Sequence, residues 1–291
     1  MEKMNLSVLI LGSLLSAIVV IGNGFVTLLV SKRPSLRSTS GGIFILSLAV
    51  ADFCVGLTNF PLTFVHSRHQ GLNNFVLGLQ LLFPYASLAN LCALVADRYV
   101  SIVFPLKHDY LFTQKSIYAS VTACWMTAVL YVLLSLIPLF PKVSQLSVVV
   151  LIAIYMVIFS ILPTLILVVT TVHLMLVVRR LRKQTVMIVA QLSFNKMSCN
   201  TTVNRRYREF DYVKVLSVLV VFFSIFSLMD IVSSICYLST ITRCVMNDAT
   251  MILQLINSAI NPFVYALLKK DIWKEIKCLL GHGPVANTFE V

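Results

Sequence analysis

Long apolar runs, each broken by one or two polar residues and set apart by short charged stretches, recur seven times along the chain. They fall at roughly 7–31, 41–65, 75–99, 116–138, 148–178, 211–238 and 247–268. About 20 apolar residues suffice to cross a bilayer as a helix. The runs are continuous rather than alternating, which predicts helices and not the strands of a barrel. Pro138 and Pro141 end the fourth run and Val148 restarts the apolar pattern, so the connection there is barely a turn. The longest connection, about 179–210, opens on Arg179-Arg180-Leu181-Arg182-Lys183 and closes on Asn204-Arg205-Arg206-Tyr207-Arg208-Glu209. Its mixed polarity predicts helix extensions at both ends around a mobile centre. Past Leu268, Ile272, Trp273, Ile276, Leu279 and Leu280 share one helical face, flanked by Lys269, Lys270, Lys274 and Lys277. That is the pattern of a short helix lying in the membrane interface. The expected architecture is all-α: a seven-transmembrane bundle over 1–268, then an amphipathic helix and short tail over 269–291. No internal repeat is visible, which weighs against inverted-repeat transporters.

Composition agrees with the pattern. Of 291 residues, 58% are apolar and 12% charged, whereas a soluble domain carries about 45–50% apolar and about 25% charged residues. The first run is too long for a signal-peptide core and holds Asn23 between two glycines, so it reads as a first span with no cleavable leader. The net charge of +12 raises nucleic acid as a partner, but its placement argues otherwise. With the segment after the first span inside, every Lys and Arg except Lys3, Arg68, Lys142 and Arg243 falls on the cytoplasmic side. The positive-inside rule then puts the N-terminus outside and the C-terminus in the cytoplasm.

The seven cysteines form no framework. Cys54, Cys92 and Cys124 lie within apolar runs, where a free thiol behaves as a small apolar group, and Cys199 and Cys278 face the reducing side. Cys236 and Cys244, near the outer end of the sixth run, either pair or stay free. Asn5-Leu6-Ser7 fits a glycosylation sequon close to the membrane, and Cys278 on its basic helix is a palmitoylation candidate.

The polar residues inside the runs carry the functional information. The third run ends abruptly on Ala96-Asp97-Arg98-Tyr99. A charge near the bilayer centre costs on the order of 2.5–3.5 kcal/mol, less near an interface, so this pair is either a membrane-edge anchor or a switch meeting a cytoplasmic partner. Asp52 lies in mid-membrane and must face the bundle; Asn23, Ser87, Asn257, Ser258 and Asn261 are polar groups at similar depth. The histidines are scattered (His66, His69, His108, His173, His282), and no Ser-His-Asp or metal-ligand spacing occurs, so no enzyme is expected. A transporter or channel needs several bundle-facing charges along a path, and only Asp52 and Asp230 qualify.

Six signatures stand in order: Gly22-Asn23-Gly24-Phe25-Val26, Leu48-Ala49-Val50-Ala51-Asp52, Asp97-Arg98-Tyr99, Trp125, Pro163, and Asn261-Pro262-Phe263-Val264-Tyr265. Each alone is common; together, at matching depths in seven runs, the chain resembles the rhodopsin-like (class A) G protein-coupled receptors over nearly its whole length. The resemblance implies an extracellular ligand (a small molecule, lipid or peptide), a heterotrimeric G protein partner and the plasma membrane. It implies a sodium ion held by Asp52 with Asn23, Ser87, Asn257, Ser258 and Asn261, the alternative being a plain hydrogen-bond network around Asp52. It also implies a switch in which Asp97 holds Arg98, with Tyr99 beside it, Glu209 reaching Arg98 from the base of the sixth span and Tyr265 moving toward it on activation. Aligned positions put Asn59, Gln80, Leu81, Pro84, Tyr85, Tyr155, Phe159, Asp230, Met251 and Gln254 around an outer cavity.

The chain departs from that pattern in several places. The usual outer disulfide is missing, with Asn73 where its third-span cysteine stands; melanocortin-type and several lipid-sensing receptors also lack it. Unlike melanocortin receptors, this chain keeps Pro163 and Asn261-Pro262. The sixth span reads Phe223-Ser224-Ile225-Phe226-Ser227-Leu228-Met229-Asp230, without the family's Trp and Pro, and Thr171 replaces a tyrosine that meets Arg98. Gln80 stands in place of the aminergic Asp, and no lysine in the seventh span offers an anchor for retinal. Asp230 either pairs with a cationic ligand group or hydrogen-bonds to Tyr155 as a structural acid. A receptor-like protein with constitutive or little signalling is the alternative these losses leave open.

Overall fold

The computed structural model describes residues 6–66, 73–137, 144–194, 200–238 and 246–268. The sequon at Asn5, Cys244, Cys278 and the basic segment after Leu268 lie outside them, as do the side chains of Cys236 and Glu209. Every regular element among the described residues is helical: α1 (Leu6–Lys32), α2 (Pro34–Arg37), α3 (Ser40–His66), α4 (Asn73–Val103), α5 (Pro105–Leu111), α6 (Gln114–Leu136), α7 (Gln145–Met156), a π-helical turn (Val157–Ile161), α8 (Leu162–Phe194), α9 (Asn200–Leu238) and α10 (Met246–Leu268). α7, the π turn and α8 run on as one element, the fifth span. Five of the described spans are long and apolar enough to cross a membrane, and the sixth contributes the apolar stretch Leu216–Val232. With α10 the bundle has its seventh member.

The boundaries follow from local chemistry. Thr113 and Ser144 cap α6 and α7, their hydroxyls accepting from Ser116 N and Ser147 N, which satisfies backbone donors left open at a helix start. Phe104 breaks α4 with φ −129° and ψ 58°, and Pro105 restarts the chain as the first residue of α5, where its missing N–H costs nothing. The π turn lies just before Pro163. A proline ring clashes with the carbonyl four residues back, and one wider turn makes the room.

The helices close as a ring. α1 packs on α3 and α10, α3 on α4, α4 on α6 and α8, and α9 on α8 and α10. α4 touches most of the others and stands at the centre. The main core gathers Phe44, Leu48, Leu91, Leu94, Leu216, Phe223 and Tyr265 across four helices. Outward faces of the spans stay apolar, as at Leu14, Leu133 and Val221, because lipid replaces water there. Without a hydrophobic force between helices in lipid, close backbone approach and polar links do the joining. A Cβ on Gly22 would come within 2.9 Å of Pro262 Cγ, so the glycine lets α1 meet α10 at its proline. Trp125 Nε1 donates to Ser47 Oγ at 3.0 Å, tying α6 to α3.

Candidate functional site

Three polar groupings lie along the bundle axis. The central one is built on Asp52 of α3, whose side chain is fully buried. Ser87 of α4 and Ser258 of α10 donate to its Oδ1 at 2.9 and 2.8 Å, and Asn261 Nδ2 donates to its Oδ2. Asn23 Nδ2 donates to the carbonyls of Val19 and Ser258, both at 3.0 Å. Its Oδ1 is buried without a hydrogen-bond partner. Asn257 is buried in the same layer but does not bond Asp52. Three helices thus meet on one carboxylate, α4 and α10 satisfying the Asp52 of α3 where an apolar surround would not, and α1 joins the layer through the bond from Asn23 to the Ser258 carbonyl.

The inner grouping lies at the end of α4. Asp97 is fully buried and its Oδ2 pairs with Arg98 Nη2 at 2.9 Å. Its Oδ1 meets His108 Nε2 at 3.1 Å, and His108 Nδ1 lies 3.3 Å from Asp109 Oδ1. The break at Phe104 and the turn of α5 bring His108 back over α4, with its ring stacked on Phe112 at 5.0 Å. Arg98 lies against Gly41 near the start of α3, so closely that a Cβ there would strike its guanidinium. Tyr99 leans away from this cluster, its ring 5.6 Å from His173 of α8. Tyr265 is fully buried in the main core. Thr171, at the level where α8 passes this end of the bundle, is buried with its hydroxyl unpartnered.

The outer residues fall into two separate sets. Asn59 Nδ2 donates to Gln254 Oε1, while Gln80 Nε2 donates to Thr63 Oγ1 at 2.6 Å and to the Asn59 carbonyl at 3.1 Å. Across α4, Tyr85 donates its hydroxyl to Asp230 Oδ2 at 2.9 Å. Tyr85 also stacks on Tyr131 at 3.5 Å between ring centroids, and Tyr131 packs edge-on against Tyr155 and Phe159 at 5.6 and 5.4 Å. Pro84, Ser160, Phe226 and Ser227 close around Asp230, leaving a void of about 10 Å³, scarcely one water. Met251 packs instead with Val19, Val55, Phe60 and Leu255 in a core between α1, α3 and α10.

Sequence reasoning had passed over His108, Gly41, Thr63 and Tyr131. His108 carried one signal: Pro105 starts a helix within reach of Asp97. Gly41 carried none, because its contact is made only when α4 docks on α3. Ser227, where the family's pivot is missing, accepts a hydrogen bond from Thr164 Oγ1 at 2.8 Å.

A multi-pass helical bundle with a buried carboxylate at mid-depth and an Asp–Arg pair at one end of its central helix is the class of protein these residues define. Residues 22–265 match the family described as "7 transmembrane receptor (rhodopsin family)", and the chain belongs to it. Adenosine receptor A3 of Ovis aries is 33% identical over 132 residues, 44% of this chain and 40% of that relative. Melatonin receptor type 1A of Gallus gallus is 31% identical over 118 residues, 38% of this chain and 32% of the relative. "Rhodopsin, GQ-coupled" of Mizuhopecten yessoensis is 35% identical over 131 residues, 42% and 25%. The chain spans two fifths or less of the length of each of these relatives.

Proposed function

We propose that this chain is a G protein-coupled receptor of the plasma membrane, its N-terminus outside and its C-terminus cytoplasmic, passing an extracellular signal to a heterotrimeric G protein. The observation that carries the reading is the Asp97–Arg98 pair, with the carboxylate fully buried and its second oxygen held by His108. A charge pair kept at that cost, and braced from two other elements, is a device with two positions rather than a passive anchor. The basic stretches flanking α8 and α9 support the orientation.

The Asp52 layer fits a monovalent cation. It offers one carboxylate, the hydroxyls of Ser87 and Ser258, the amides of Asn257 and Asn261, and the orphaned Asn23 Oδ1, all hard oxygen donors. A bound sodium ion would supply positive charge to Asp52, and Ser87 and Ser258 are the hydroxyls that would help hold it.

The ligand enters from the outer end, where Asn59, Gln80 and Gln254 form one polar set and Tyr85 with Asp230 another. Asp230 is engaged by Tyr85 in this conformation, so a cationic ligand group would compete with that hydroxyl for the carboxylate. α10 carries no lysine, so a Schiff-base retinal has no attachment there. Cells expressing the chain with a promiscuous G-protein reporter test the reading. A basal or ligand-evoked signal above that of vector-only cells is expected. Silence with every G-protein class, from protein present at the surface, contradicts it and favours a receptor-like protein without coupling.

A further inference from the structure

Where α8 packs on α9, the lipid side of the bundle is indented. A groove of about 510 Å³ runs there, with Thr171 and Val220 buried in its floor and Val172, Val221 and Leu228 exposed along its rim. That volume lies within the ~300–1,000 Å³ of small-molecule sites. From Val168 to Arg179, both lining residues, a rise of 1.5 Å per residue gives about 16 Å. That is half of a ~30 Å hydrocarbon core, so the groove belongs to one leaflet. Its mouth is marked by Arg179, which is exposed and forms no ion pair among the described residues. Arg180, Arg182 and Lys183 follow at once, and all three are exposed.

We propose that this groove is a binding site for an anionic diacyl phospholipid of the inner leaflet, one acyl chain lying between α8 and α9 and the headgroup phosphate on Arg179. An apolar channel ending on a guanidinium that is unpaired among the described residues matches a molecule with an apolar tail and an anionic head. Cytoplasmic leaflets are negatively charged, and basic pockets between helices on that side hold such headgroups. Arg suits a phosphate because its planar fork donates two parallel hydrogen bonds. The groove wall is built of side chains from two helices, so the lipid touches both at once, which a lipid on the smooth outer face of α1 or α6 does not.

The leaflet rests on the orientation proposed above, but the binding itself does not, and it is read without any signalling. Purified full-length protein in neutral detergent is titrated with dioleoyl phosphatidylserine or dioleoyl phosphatidylcholine, and bound lipid is counted by native mass spectrometry. Wild type is expected to prefer phosphatidylserine by about fivefold or more, the effect of one basic residue near an anionic head. Arg179→Gln is expected to erase the preference. Ser224→Phe fills the groove from α9, where the serine hydroxyl bonds only its own helix at Val220, and is expected to lower binding of both lipids at this site and to erase the preference as well. Arg182→Gln, outside the groove lining, is expected to keep it. Equal retention of the two lipids by wild type overturns the proposal. So does full preference in Ser224→Phe, which places the anionic lipid on the basic collar alone. Should Arg179→Gln fail to fold, Ser224→Phe compared with Arg179→Lys decides the question by the same two readings.

Discussion

Asp52 and Asp97 are both fully buried carboxylates, yet their surroundings differ in kind. Asp52 is met by neutral donors, Ser87, Ser258 and Asn261, and the proposed sodium ion would add the positive charge that none of these donors brings. Sodium is therefore expected to raise the melting temperature of the wild-type protein relative to an equal concentration of choline, and to do so much less in Asp52→Asn. Equal salt responses, followed by a thiol-reactive dye or by tryptophan fluorescence, remove the ion from the account. Asp97 already has its positive charge in Arg98, and the question there is what holds the arginine in place. Gly41 does so by absence: the guanidinium occupies the space where a Cβ would stand. Gly41→Ala pushes the flexible end of Arg98 off its partner and is expected to raise ligand-free nucleotide exchange several-fold. An unchanged basal rate would show that the pair does not restrain the protein. The polar residues around Asp52 were legible in the sequence because each interrupts an apolar run at the same depth. Gly41 and His108 were not, because one is a small residue among small residues and the other gains its role from a turn of chain.

At the scale of elements, the fifth and sixth spans carry the chain's own solution to a missing pivot. Thr164 follows Pro163 and donates to Ser227 of α9, beside the π turn that the proline imposes. A hydroxyl pair thus stands where the family places a bulky indole. Polar links between helices in lipid average about 0.6 kcal/mol and reach about 1.7. A double-mutant cycle of Thr164→Val and Ser227→Ala is expected to show coupling of that order in thermal or denaturant unfolding, whereas strictly additive effects would mean the bond contributes nothing. The runs of apolar residues announced α1, α3, α4 and α6 almost to their ends. They fell short for α8 and α9, which extend to Phe194 and back to Asn200, as the mixed polarity of 179–210 suggested they would. The short helices α2 and α5 were invisible to hydropathy, since each is a single turn or two set by a proline at its start. The absence of Trp and Pro from the sixth span was plain; that Ser227 had found a partner was not, because a serine in an apolar helix names no neighbour.

In the whole molecule, α4 is the element that carries residues of all three polar groupings. It carries Gln80 and Tyr85 in the outer sets, Ser87 in the Asp52 layer, and Asp97 and Arg98 at the inner end. A ligand can shift the inner end only as far as it binds one packing of the helices better than another. The claim that matters most is that the inner end of α4 is a switch for a G protein. The most direct test is guanine-nucleotide exchange on purified heterotrimers, with wild-type and Arg98→Ala protein reconstituted at equal density. Wild type is expected to accelerate exchange above the protein-free rate for at least one G-protein class, and Arg98→Ala to lose most of that acceleration while keeping its melting temperature. Equal acceleration by both proteins would contradict the account.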